Sequence, residues 1–245
     1  MRNIRLLLEY DGAAYHGWQR QKNARTIQEA VEAALGRLTG EEARLVASGR
    51  TDAGVHALGQ VANFRTASRI PLKAFQVGLN SLLPRDIAVL HAAEVPPQFH
   101  ARFSAVSKAY EYRILCRPAR SPLELRYCWH LATPLDLEAM AKAAAALAGE
   151  HDFAAFQNRG SDVEHTVRRV LDAAWLAGDG GRLRFVISAN GFLRGMARSL
   201  VGTMVEIGRG KRPPEDLAGL LASRDRAAAG ATAPAAGLFL VRVVY

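Results

Sequence analysis

The stretch Ser48-Gly49-Arg50-Thr51-Asp52-Ala53-Gly54-Val55-His56-Ala57 gathers the groups best suited to chemistry. A carboxylate, Asp52, follows a guanidinium, Arg50, at a spacing of two and precedes the imidazole of His56. A carboxylate so placed can act as a nucleophile or as a base. An arginine fork can hold it in one orientation. The two glycines let the backbone take positive φ and come close to another molecule. The same residue types also build ordinary turns, because Asp and Thr side chains hydrogen-bond nearby backbone. Arg50 equally suits a routine surface ion pair of little energetic weight. A hydrolase working through Asp52 and His56 is a further option at this point.

Two other groupings matter. Tyr110 and Tyr112 alternate on one predicted strand, where tyrosine fits as core and also offers a ring for stacking. Arg194 and Arg198 are four apart, a spacing that places both on one face of a predicted helix, either gripping phosphates or facing solvent. The seven histidines show no zinc-like pairing, and no HExxH, CxxC, phosphate-binding P-loop or dinucleotide fingerprint occurs. No metal and no cofactor is expected.

The 245 residues carry a formal charge of +9, with Arg and Lys spread along the chain, which favours a polyanionic partner, nucleic acid foremost. At 49% hydrophobic content the chain can bury one large core or two small ones. The two cysteines, Cys116 and Cys128, allow at most one bridge and suit a reducing cytoplasmic setting. The first residues lack an apolar core and a small-residue cleavage site, so no signal peptide is expected. No stretch approaches the roughly 20 apolar residues of a membrane span.

The elements that must position these groups come in a repeating order. Strands are predicted over 4–10, 43–47, 60–65 and 87–92. Thr26-Ile27-Gln28-Glu29 is a capping box that starts a helix ended by Gly40. Pro71 opens a second helix and Pro84 stops it. Val95-Pro96-Pro97 marks a joint, and the order then recurs. Strands fall at 108–116, 166–176, 183–189 and 238–244, with helices at 137–148, 193–207 and 217–221. Residues 117–134 read as a loop, and Gly178-Asp179-Gly180-Gly181 as a hairpin turn. The expectation is an α+β chain of two ferredoxin-like, RRM-like βαββαβ units, 1–105 and 106–245, with their antiparallel sheets side by side and a cleft at the junction.

Gly49 to Ala57 resembles, without interruption, the signature loop of the tRNA pseudouridine synthase A family. The resemblance implies that Asp52 is the essential catalytic residue and that Arg50 pairs with it. Phe99-His100-Ala101-Arg102-Phe103-Ser104-Ala105 followed by Lys108-Ala109-Tyr110-Glu111-Tyr112-Arg113 is similar to the family's second motif, which implies that Tyr110 lies against the target base. Asn190 to Arg198 is similar to a family helix motif, with Gly195 where a larger polar residue is usual. Gly237-Leu238-Phe239-Leu240 resembles the C-terminal strand, which implies that Leu238 packs against the base pocket. The loop beginning Tyr10-Asp11-Gly12 also fits, with Ala13 in place of the usual threonine. Arg102, Lys108, Arg194 and Arg198 are then expected RNA contacts. The family's activity, isomerisation of uridine at positions 38 to 40 of the tRNA anticodon arm by a homodimer, is the function expected. A non-catalytic RNA-binding protein with RRM-like sheets is the alternative.

Overall fold

A computed structural model of the chain describes residues 1–158, 160 and 165–245. It divides into two compact units, Met1–Val106 with Phe239–Tyr245, and Ser107–Leu238. Both mix helices with antiparallel strands.

The first unit contains β1 (Arg2–Tyr10), α1 (Ile27–Thr39), β2 (Val46–Ala47), β3 (His56–Thr66), α2 (Leu72–Leu82) and β4 (Ile87–Val95). β1 lies between β4 and β3, and β2 pairs with β3, all antiparallel. Ile4 faces Phe64 and Leu6 faces Ala62, so the apolar positions of β1 and β3 share one side of the sheet. Phe75 of α2 meets Phe64 edge-on at 5.6 Å. The Thr26 half of the capping box forms, with the Glu29 N–H donating to the Thr26 hydroxyl. Ile27, Val31, Ala34 and Leu35 give α1 its buried stripe.

The second unit contains β5 (Ser107–Cys116), β6 (Trp129–Leu131), α3 (Leu137–Ala145), β7 (Gly149–Asp152), β8 (Val167–Ala177), β9 (Arg182–Ala189), α4 (Met196–Gly208) and α5 (Asp216–Ser223). Its antiparallel sheet runs β5-β9-β8-β7, with β6 parallel to the end of β5. Trp175 and Phe185 pack at 5.1 Å, and the Trp175 indole N–H reaches the Met204 sulfur at 3.3 Å on α4.

Several readings change here. The predicted loop at 117–134 contains β6, and the predicted helix at 137–148 stops at Ala145, so that β7 can pair with β8. The strand predicted at 43–47 shrinks to Val46–Ala47, while β3 starts at His56. In the last strand, β10 (Leu238–Val244), Phe239 and Leu240 pair in parallel with His56 and Ala57, which gathers residues 239–245 into the first unit. The stacking of Phe239 on His56, at 4.7 Å and 20°, fixes that register. Among the described residues no helix is long and apolar enough to cross a membrane.

Candidate active site

Asp52 lies in the connection from β2 to β3, half-buried and at the start of a tight turn in which the Val55 N–H donates to the Asp52 carbonyl at 3.2 Å. The turn is held from below by the loop that follows β1. There the Trp18 N–H donates to the Thr51 carbonyl at 3.1 Å, and the Gly54 N–H to the Tyr15 carbonyl at 3.2 Å. The two backbones touch because two glycines carry no side chain at the contact. A Cβ on Gly12 would sit 2.0 Å from the Val55 carbonyl oxygen, and one on Gly17 would sit 2.5 Å from that of Thr51. Gly17 also has φ +89°, in the region that L side chains rarely adopt.

A buried polar network fixes the approach to the turn. The Tyr10 hydroxyl and Thr51 Oγ1 are hydrogen-bonded at 2.8 Å, and Gln60 Nε2 donates to the Gly49 carbonyl at 3.0 Å and to Tyr10 at 3.5 Å. Ser48 Oγ donates to Gln60 Oε1 at 2.7 Å. Burial pushes the Tyr10 phenol up to about 12, against the opposing effect of its bonds to Thr51 and Gln60. Tyr10 is therefore a neutral hydroxyl at physiological pH and acts as a strut. Removing it in Tyr10→Phe leaves Thr51 and Gln60 each one partner short. The expected loss is about 1–2 kcal/mol in urea unfolding, with a several-fold drop in kcat as the turn loosens.

A second strut holds the supporting loop itself. The Tyr15 hydroxyl donates to Asp86 Oδ1 at 2.6 Å and accepts from Arg25 at 2.9 Å, while the Arg25 guanidinium lies 4.5 Å over the ring. Burial, then the bond to Asp86, raises the Tyr15 phenol above its ordinary range.

His56 belongs to this framework. It is buried; its Nδ1 accepts from the Gly12 N–H at 3.1 Å and lies 3.0 Å from Asp11 Oδ1. These contacts hold the Asp11–Gly12 corner. Sequence reasoning assigned no role to Tyr10, Gly12, Tyr15 or Gly17. The signal available was the Gly- and aromatic-rich character of 10–21.

Arg50 is exposed, with no side-chain ion pair or hydrogen bond among the described residues. Arg102, also of the first unit, lies exposed on the loop after β4, with its guanidinium 5.3 Å over the Phe103 ring.

The remaining candidates belong to the second unit. Tyr110 of β5 is 8% exposed and packs edge-on against Phe192 at 4.7 Å. Tyr112 is a core residue: its hydroxyl donates to the Pro234 carbonyl at 2.8 Å, and burial raises its phenol far above the usual range. Lys108 is half-buried near the start of β5, and Leu238 is buried at the start of β10.

Arg194 and Arg198 do not share a helix face. Helix α4 begins at Met196, and Gly195 precedes it with φ +73°, so Arg194 lies outside the helix. A larger residue at 195 would meet that backbone geometry and Asn158, whose side-chain nitrogen lies 2.2 Å from the place of a Cβ. Arg194 Nη1 donates to the Gly160 carbonyl at 3.0 Å, and Arg198 Nε to the Ala233 carbonyl at 2.7 Å.

A turn that offers a half-buried carboxylate on a fully braced backbone is suited to a reaction whose charged group must not move. The comparison with known sequences decides which reaction. A family model described as tRNA pseudouridine synthase matches residues 7–104 and 143–245, spanning the Asp52 turn, its supporting loop, α4 and β10. The chain belongs to that family. It is similar along its whole length to proteins named tRNA pseudouridine synthase A. The one from Thermoanaerobacter sp. (strain X514) is 47% identical over 245 residues, covering 100% of both chains. The one from Syntrophotalea carbinolica is 50% identical over 248, covering 99% of this chain and 96% of the relative. That from Geotalea uraniireducens is 49% identical over 245, covering 100% of each.

Proposed function

We propose that the chain is a tRNA pseudouridine synthase that isomerises uridine in place, with Asp52 as the carboxylate that works beside the sugar and base of the target nucleotide. Full-length similarity to the family carries the activity. The braced turn carries the choice of Asp52. In the reaction the bond from uracil N1 to the ribose C1′ breaks, the base turns, C5 bonds to C1′, the C5 proton leaves and N1 gains one. The step is an isomerisation with no redox change.

A uridine stacked in a tRNA arm must be extruded before a side chain reaches it. Tyr110 supplies a ring for the extruded base, and Leu238 an apolar wall. Arg50, exposed beside Asp52 in sequence, steadies the carboxylate or the adjoining phosphate once RNA is bound. Lys108, Arg102, Arg194 and Arg198 contact the tRNA backbone. The sites modified are positions 38 to 40 of the anticodon arm, and the working form is a cytoplasmic homodimer. The antiparallel order β4-β1-β3-β2, with α1 and α2 as crossovers, supports a ferredoxin-like first unit.

The test is tritium release from tRNA transcribed with uridine labelled at C5. An isomerase must expel that hydrogen, whereas an RNA clamp binds without releasing it and a hydrolase frees uracil with the label attached. Full-length tRNA bound without tritium release excludes the proposal.

A further inference from the structure

Residues 96–106 connect β4 to the second unit, and their turn carries Phe103 into the open. The side chain is 74% exposed, although hydrogen bonds tie the backbone around it. Ala101 donates to Asn63 Oδ1 at 2.8 Å and its carbonyl accepts from the Tyr245 hydroxyl at 2.8 Å. The Ser104 N–H donates to the His100 carbonyl at 2.9 Å, and the His100 N–H to Ser104 Oγ at 3.1 Å. His100 Nδ1 accepts from the N–H groups of both Arg102 and Phe103, each at 3.2 Å.

Two neighbouring groups lie against the ring's π system. His100 stacks on it at 4.4 Å and 29°, and the Arg102 guanidinium lies 5.3 Å from its centre. Arg65, which donates to the Pro97 carbonyl at 3.2 Å, adds positive charge beside the loop. The chain thus fixes an aromatic side chain outside its own core, between an imidazole and a guanidinium, in a positively charged setting. A turn with these hydrogen bonds needs no aromatic residue at 103, and the ring's exposed area adds little to folding. With His100 stacked on one face, a nucleobase takes the face that the exposed Arg102 guanidinium leaves as it turns to the adjoining phosphate. The pinned backbone limits the entropy lost on binding.

We infer that Phe103, flanked by His100 and Arg102, is a stacking site for an unpaired tRNA base other than the uridine being isomerised, with Arg102 on the neighbouring phosphate. This rests on the tRNA-modifying reading above and adds a second anchoring point for the same substrate.

The experiment uses the full chain and a full-length, unmodified tRNA transcript. Phe103→Ala is expected to weaken tRNA binding by roughly 5- to 100-fold and to raise the KM for tRNA in proportion. Phe103→Leu, which keeps apolar bulk without a π face, behaves like the alanine variant. Phe103→Trp stays within about threefold of wild type, and its added emission is quenched by tRNA beyond the quenching of the wild-type tryptophans. Arg102→Gln lowers the slope of log Kd against log salt by about one, whereas Phe103→Ala leaves the slope unchanged. Wild-type affinity in Phe103→Ala, or in Phe103→Leu, overturns the inference. So does a change of oligomeric state in sedimentation of Phe103→Ala, which would assign the ring to a second copy of the chain. The two readings fail separately. Phe103-dependent binding without tritium release removes the isomerase and leaves the stacking site, and normal tritium release with Phe103-independent binding does the reverse.

Discussion

Asp52→Asn is expected to bind tRNA as the wild type does and to lose tritium release by about 10³-fold or more, the scale of removing a positioned base or nucleophile. The substitution keeps size and shape and removes only the charge and basicity. The closing bond of the turn runs from the Val55 N–H to the Asp52 main-chain carbonyl, which the substitution retains. The supporting contacts likewise use Thr51, Gly49 and Gly54, so the amide should stand where the carboxylate stood. Loss of rate at unchanged affinity is the signature of a group needed in the transition state and not for ground-state binding. Asp52→Glu provides a second reading of the same site. It retains the charge but carries it one methylene further, and a misplacement of about 1 Å costs about 10²-fold. Turnover near wild type in Asp52→Asn at saturating tRNA would remove Asp52 from the chemistry.

The sequence was most readable where local signals suffice. Thr26 and Glu29 mark the start of α1, and Pro71 and Pro84 bracket α2, because capping and proline geometry act within a few residues. The alternation of Tyr110, Tyr112 and Ile114 gave a buried face of β5 for the same reason. β7 escaped because Gly149-Glu150-His151-Asp152 has no strand pattern of its own; it is a strand only through its pairing with β8. The partner of β10 was equally out of reach, since a parallel pairing to residues about 180 positions earlier leaves no local mark. The spacing of Arg194 and Arg198 misled because a left-handed glycine between them starts the helix late. At the candidate site, the type and order of Arg50 and Asp52 were legible. What braces the Asp52 turn was not, because it is a backbone-to-backbone contact between distant stretches, Gly12 against Val55 and Gly17 against Thr51, visible beforehand only as unexplained glycines at 12 and 17.

That contact sets the second large effect. Gly17→Ala must place a methyl group 2.5 Å from the Thr51 carbonyl oxygen, on a backbone held at φ +89°. The left-handed conformation alone costs an alanine about 1–2 kcal/mol. The clash adds to this, because the Thr51 carbonyl is already held by the Trp18 N–H and cannot turn aside cheaply. A total near 3 kcal/mol corresponds to a fall in Tm of about 6–12 °C for a chain of this size. The strain is relieved by moving the supporting loop away from the turn, so kcat is expected to fall by about 10²-fold while tRNA affinity changes little. Gly40→Ala separates the two causes. Gly40 also has positive φ, +74°, but nothing lies within 4 Å of the place of its Cβ. Its variant should show the conformational loss in Tm and wild-type turnover, so that a rate defect confined to Gly17→Ala traces to the support beneath Asp52. Equal kcat in the two variants would detach that loop from catalysis.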